Sequence, residues 1–384
     1  MKILWLVCLM AVSGYGQGVK ADALPNPSGN GALQANWFAA PRDGVVLSWI
    51  EPAKGGLYTL RYAVRRGAAW SEPHTVASDR HFFRHPAELP EVAQLSDSLW
   101  MAHWVEMPQE SSEAEFIYVS SSTDGVHWTQ PLMAHRDHLP VEHGLVSMMG
   151  SGNNEASIFW LETPKGEDGP GVLKRTIVSA NGKEVMEEAI DTDVCSCCST
   201  AVANTTKGLL VAYRDHTPAN IRDISVARLE NGRWTQPKNV HPDNWKLDAC
   251  PINGPSIAAQ GDRVAVAWFT AAQESPRTEI AFSKDSGSTF GNSIVVSTGH
   301  SQGFPSVVMD DKGSALVSWI EQGSDGSRLL VRSVDASGVA GPVLQVAAGG
   351  KTALGYPKLV RMGDGTLIAW GSAGPKIITA ILRK

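Results

Sequence analysis

The sequence predicts an all-β fold, a β-propeller of four-stranded blades, seven by count with six as the alternative. Three observations predict it. Seven short apolar strands share one pattern and usually end on an aromatic. Those aromatics recur roughly every 51–56 residues, close to the length of a four-stranded blade. Tight polar turns separate the strands, in keeping with 37 glycines and 22 prolines in 384 residues.

The recurring strands are V-V-L-S-W-I-E (45–51), W-M-A-H-W-V-E (100–106), A-S-I-F-W-L-E (156–162), L-L-V-A-Y-R-D (209–215), V-A-V-A-W-F-T (264–270), A-L-V-S-W-I-E (315–321) and T-L-I-A-W-G-S (366–372). Their aromatics are Trp49, Trp104, Trp160, Tyr213, Trp268, Trp319 and Trp370. A polar turn such as P-R-D-G (41–44) precedes each strand, and another short strand such as S-I-A-A (256–259) precedes the turn. An alternating third strand follows, for example L-R-Y-A-V (60–64) or I-S-V-A-R (224–228). In several units the turn after it has the form G-x-x-W-[ST]-x-P, as in G-A-A-W-S-E-P (67–73), G-V-H-W-T-Q-P (125–131) and the shorter G-R-W-T-Q-P (232–237). A fourth strand closes each unit. The seventh unit stops after I-I-T-A-I-L (377–382). The mature N-terminus is expected to supply its missing outer strand, because closing the ring removes exposed sheet edges.

Ahead of the repeats, Lys2 and the apolar run Ile3 to Val12, followed by small residues, read as an export signal over residues 1–21. Cleavage is expected after Gly16 or Ala21, leaving a propeller over 22–384 that is periplasmic or secreted. The run is too short to span a membrane, and no second run of spanning length occurs, so no transmembrane segment is expected. The net charge of −6 is spread out, without a basic stripe interleaved with aromatics. That pattern excludes a nucleic-acid partner. The expected protein is a monomer whose partner is a small molecule, a metal or a carbohydrate.

One turn, S-K-D-S-G-S-T-F (283–290), fits the Asp-box pattern S-x-D-x-G-x-x-[WF], and S-T-D-G-V-H-W (122–128) is a version one residue shorter. The aspartate binds turn backbone, the glycine permits the tight conformation, and the aromatic wedges between sheets. Asp124, Asp285, Trp128 and Phe290 are therefore read as structural. On these turns the chain resembles the sialidase superfamily of Asp-box propellers, over nearly all of its mature length. Sialidases of that family have six blades, and seven units are counted here.

The first strand of each blade lines the axis, so the segments leading into the first strands open on one face. They read F-F-R-H-P (82–86), V-E-H-G (141–144), V-C-S-C-C-S-T (194–200), A-C-P-I-N-G-P (249–255), Q-G-F-P (302–305) and L-G-Y-P (354–357). The connections after the second strands add Y-R-D-H-T-P-A-N-I-R-D (213–223) and E-S-P-R-T (274–278). Arg84, His85, Glu142, His143, Cys195, Cys197, Cys198, Cys250, Asn253, Arg214, Asp215, Arg222 and Asp223 should all face one axial mouth. In an exported protein the four cysteines are first read as disulfides, with a bridge from the 195–198 cluster to Cys250 tying adjacent blades. Alternatively Cys195, Cys197, Cys198 and Cys250, with His85 or His143, form a soft-metal site, since thiolate and imidazole suit copper(I) or zinc. A third possibility is a redox-active thiol pair.

The resemblance implies a further set of roles. Family sialidases hold a substrate carboxylate with three arginines and use a glutamate-activated tyrosine as nucleophile. Here F-R-H-P is similar to the family's F-R-I-P, which makes Arg84 the first arginine. Arg214 or Arg222 would be the second and Arg277 the third. Tyr356 would be the nucleophile, Glu142 its activator, and Asp137 or Asp215 the acid. Another reading of Arg214, Asp215, Arg222 and Asp223 is a salt-bridge network locking one blade's top loop. Two functions stay open: a non-hydrolytic binding propeller with a Cys/His site, and an exo-glycosidase cleaving sialic acid or a related acidic sugar. A purely structural or protein-interaction propeller is the third.

Overall fold

The computed structural model describes residues 19–108, 114–152, 154–164, 169–350, 354–363, 365–372, 374 and 376–383. The expected export signal falls almost wholly outside these residues. Seven antiparallel sheets follow one another along the chain as the blades of a propeller. Blade 1 begins with strands Leu33–Ala40, Gly44–Pro52 and Tyr58–Arg66, and blade 4 with Ala201–Thr205, Gly208–Arg214 and Ile224–Glu230. Blade 7 is made of Lys358–Met362, Gly365–Gly371 and Ile377–Arg383, with Lys20–Ala23 as its outer strand. The register of that closure runs from Lys20 opposite Arg383 to Ala23 opposite Ala380. The ring therefore closes as the truncated seventh unit predicts, and the blade count is seven.

Each second strand is a continuous apolar run because it is buried on both sides. Alternate residues of a strand face opposite ways. Val45, Leu47 and Trp49 pack toward blade 7, against Leu367, Ala369 and Ile377. Val46 and Ile50 pack toward blade 2, against Val92, Trp100 and Trp104. The core thus lies between blades as a ring of clusters. The recurring aromatics are its largest members, all at most 5% exposed. Three of the tryptophans donate their indole N–H to a glutamate two residues on: Trp49 to Glu51, Trp104 to Glu106 and Trp319 to Glu321. This explains the W-x-E ending of those strands, since a buried indole N–H is costly without an acceptor.

The W-[ST]-x-P turns have an equally local cause. Ser71, Thr129 and Thr235 each accept, at 3.0 Å, an N–H from the third strand of their own blade, from Val64, Ser121 and Arg228. Proline has no N–H to give a ladder. In blades 1 and 4 the fourth strand is accordingly split into Ala69–Trp70 with His74–Arg80, and Arg233–Trp234 with Lys238–Asn239. The two Asp boxes form as expected. Asp124 accepts from the N–H groups of Val126 and His127, and Asp285 from Thr289. Trp128 packs into the blade 1–2 cluster and Phe290 into the blade 4–5 cluster.

Candidate functional site

The lead-in segments of blades 2 to 5 and the second-to-third connections beside them enclose a cavity of about 630 Å³. Phe83, His85, Glu142, Ser196, Cys197 and Cys250 come from the lead-in segments, and His216, Asn220 and Arg222 from the blade 4 connection. Glu115 and Asp248 complete its polar lining. The repeat phase thus brings residues from four blades to one mouth.

One wall is built on sulfur. Cys197 and Cys250 form a disulfide, Cα to Cα 6.0 Å, joining the lead-in segments of blades 4 and 5. Cys195 and Cys198 are free and buried. Their sulfurs lie 3.6 Å apart, and the Cys195 sulfur lies 3.7 Å from that of Cys197. Backbone holds this cluster in place. The Cys195 N–H donates to the Arg214 carbonyl. Gly254 lies so close to Ser199 that a Cβ there would collide with its carbonyl oxygen. Arg214, 1% exposed, donates from Nε and Nη2 to the Asn253 carbonyl, from Nη2 to Phe269 and from Nη1 to Arg222, beneath the Trp245 ring. Burial and then the neighbouring Cys195 push the Cys198 thiol up. Contact with Cys198, then the Arg214 and Arg222 charges, bring Cys195 down. Cys195 is the stronger acid of the pair.

The wall supplied by blades 2 and 3 carries the carboxylates Glu115 and Glu142. A Cβ on Gly144 would stand 3.0 Å from an oxygen of both Glu88 and Glu115, so the two acids crowd the blade 3 lead-in from one side. Glu88 accepts from the Leu145 N–H, and its other oxygen has no partner among the described residues. Burial pushes Glu88 and Glu91 up to about 8. Burial, then the neighbouring Glu88 and Glu142, push Glu115 up to about 9. Glu115 is therefore a protonated acid at neutral pH on the cavity wall, beside Glu142. It immediately precedes the third strand of blade 2 (Phe116–Ser122). No motif singles it out in the sequence, and its place in a second-to-third connection is the one signal that could have.

The remaining residues singled out from the sequence divide. His85 lines the cavity, stacked on Phe83 at 5.6 Å, and its Nδ1 accepts from the Ala87 N–H. Arg222 lines it too. Arg84 lies over the Tyr58 ring and donates to its hydroxyl. Arg277 pairs with Glu279 at 2.5 Å and caps the carbonyls of Ala272 and Ser275. Arg214 is spent on carbonyls. Asp215 accepts from Ser225, and Asp223 from the N–H groups of Asn244 and Trp245. Among the described residues Arg214, Asp215, Arg222 and Asp223 form no ion pair with one another. Arg214 and Asp223 lock the blade 4 loop through backbone, and Asp215 bonds the Ser225 hydroxyl. Tyr356 lies edge-on to Phe304 at 4.0 Å, with burial and nearby Cys198 raising its hydroxyl. The tyrosine is thus grouped with the sulfurs, and Glu142 with the acids.

His143 is buried in blade 3. Its Nδ1 faces the Glu115 carbonyl at 2.9 Å and its Nε2 the Asp137 carboxylate at 3.0 Å, while its ring stacks on His135 at 3.9 Å. It stands with Asp137 and His135 rather than with the sulfurs. The sulfurs of Cys195, Cys197 and Cys198 lie within 4.8 Å of one another. A disulfide sulfur is not a thiolate donor, so with the bridge closed two thiols are left for any soft metal.

No family model matches the chain, and no curated protein matches its sequence. Solved structures do match its fold. A protein of unknown function from Dyadobacter fermentans is 18% identical, with a TM-score of 0.53, over 96% of this chain and 99% of that one. The BP39L lectin of Burkholderia pseudomallei is 13% identical, with a TM-score of 0.64, over 92% and 96%. A GH93 α-L-arabinofuranosidase of Fusarium graminearum is 12% identical, with a TM-score of 0.51, over 95% and 97%. The chain is a seven-bladed propeller with structural neighbours among carbohydrate-active propellers.

Proposed function

We propose that the protein is an exported carbohydrate-active propeller that takes a sugar in its axial mouth and cleaves its glycosidic bond by acid–base chemistry. The observation that carries this reading is the pair of carboxyls Glu115 and Glu142 on the cavity wall, with burial and the neighbouring acids pushing Glu115 up to about 9. A carboxylic acid with a raised pKa can protonate a leaving oxygen, and a second carboxylate can activate water or stabilise positive charge at the sugar. The stacked Phe83 and His85 offer a flat surface for a sugar ring. Arg222 would meet the carboxylate of an acidic sugar. Exo-cleavage of the sialidase type would then rely on Arg222 at the cavity, with Arg84 and Arg277 engaged elsewhere. The lectin and the arabinofuranosidase of the same fold favour a saccharide as ligand.

Binding to a panel of neutral and acidic oligosaccharides, followed by product analysis, tests this. Glu115→Gln is expected to retain binding and lower turnover by about 10²–10⁴-fold. Binding without turnover in the unaltered protein would make it a lectin, and no binding would sink the reading. For export, cleavage after Gly16 would spare the closing strand Lys20–Ala23, whereas cleavage after Ala21 would remove half of it. N-terminal sequencing of the exported protein decides between them.

A second reading, a copper or zinc site, is favoured by the three clustered sulfurs. It requires the bridge to be reduced. Metal analysis of reduced protein, with Cys195→Ser as control, tests it.

A further inference from the structure

Four sulfurs at the mouth form two pairs of unlike access. Cys250 is exposed and Cys197 half-buried, both on the cavity wall, whereas Cys195 and Cys198 are buried beneath them. The buried pair has C-x-x-C spacing, with its sulfurs already 3.6 Å apart. Closing it to a bond needs a shift of about 1.5 Å. The Cys195 sulfur also touches the bridge, 3.7 Å from Cys197. A structural staple needs only the Cys197–Cys250 bond. It does not need two further thiols in contact with each other and with the staple.

We propose that these cysteines form a thiol–disulfide exchange centre, in which the buried pair passes two electrons to the bridge at the mouth. Cys195 loses its proton to solvent and its sulfur attacks Cys197. The Cys195–Cys197 bond forms, the Cys197–Cys250 bond breaks, and Cys250 leaves as a thiolate that takes up a proton. Cys198 then loses its proton and attacks Cys195. The Cys195–Cys198 bond forms, and Cys197 is released as a thiol. Nothing is oxidised or reduced overall within the chain. The disulfide has moved from the wall to the interior, and a dithiol has moved from the interior to the wall.

That wall dithiol can reduce a disulfide presented in the cavity. The partner's S–S bond breaks, its two sulfurs leave as thiols, and the Cys197–Cys250 bond reforms. To recharge the centre, an external dithiol reduces the Cys197–Cys250 bridge and leaves as a disulfide. The wall dithiol then passes its two electrons to the buried Cys195–Cys198 bond by the exchange steps in reverse, which restores the starting state. The partner is a disulfide small enough, or on a loop slender enough, for a cavity of about 630 Å³. This activity is independent of whether the mouth binds a sugar.

The test is alkylation of the native full-length protein with iodoacetamide at pH 8, without reductant, followed by peptide mapping. Label on Cys197 and Cys250 together with a Cys195–Cys198 bridge is expected. Cys198→Ser should trap the Cys195–Cys197 bond with label on Cys250. Cys195→Ser should lower Cys250 labelling by at least about tenfold, because the attacking sulfur is gone. Equal Cys250 labelling in the unaltered and Cys195→Ser proteins would overturn the proposal. So would an intact Cys197–Cys250 bridge with no native label at the wall. As a second measurement, protein fully reduced with a dithiol and then freed of it should reduce about two equivalents of an aromatic disulfide probe, and Cys195→Ser only about one, while the melting temperature holds. Stoichiometric zinc or copper on the reduced protein, with no probe reduction, would replace exchange by metal binding.

Discussion

The axial mouth has two unlike halves, built on neighbouring blades of the same repeat. Between blades 4 and 5, a disulfide and a guanidinium bonded to three backbone carbonyls tie neighbouring lead-in segments together. Between blades 2 and 3, the lead-in segments and the connection beside them carry acids crowded around a glycine and pushed up by burial. The first half gains rigidity from covalent and fully paired polar contacts. The second bears a desolvation cost, and that cost is what tunes its acids. A propeller can hold one rim stiff while keeping another chemically poised, because neighbouring blades pack against each other but fold from local hairpins.

The largest way to break the comparison is to unlock the stiff half. Arg214→Met removes a buried cation from three carbonyls and should lower the unfolding free energy by about 4 kcal/mol, read by urea denaturation. Loss of the bridge comes next. Cys250→Ser should cost about 2–4 kcal/mol by the same measurement, because the bridge closes a loop of 53 residues.

The acidic half should respond to pH instead. Glu88, Glu91 and Glu115 have raised values in the folded chain, so their stabilisation is complete below about pH 4.5 and is lost as pH rises through about 8–9. Burial holds His103 down to about 3 and His135 down to about 4. Unfolding lets those imidazoles take protons, so their contribution is lost as pH falls below about 6.5. Melting temperature should therefore peak between about pH 4.5 and 6.5. Glu115→Gln should flatten the alkaline limb and leave the acid limb unchanged. The smallest effect is outside the mouth. Asp285→Ala removes the bonds of one Asp box and should cost about 1 kcal/mol, without altering thiol labelling.

The sequence made the architecture legible because a propeller writes each blade locally. The buried second strands show as apolar runs with a terminal aromatic, and the W-[ST]-x-P turns show as a repeated hydroxyl at a fixed offset. The repeat phase also brought Cys197, Cys250, His85, Glu142 and Arg222 to one mouth. Side-chain direction was not legible. His143 belongs to a lead-in segment, yet its ring bonds Asp137 within its own blade sector. Arg214 stands at the mouth but turns inward to carbonyls. Glu115 matched no motif. Its character comes first from burial and then from Glu88 and Glu142, which lie far from it in sequence and meet it only in the folded ring.

The pairing of Lys20–Ala23 with Ile377–Arg383 brings the two ends of the described chain side by side. The ring is therefore a covalent near-circle whose one seam is stitched by hydrogen bonds. A peptide link across that seam would relieve blade 7 of dependence on a distant strand. The chain could then be opened in the exposed turn at Arg42 and Asp43, before the second strand of blade 1, moving the point of assembly around the rim while leaving the mouth untouched.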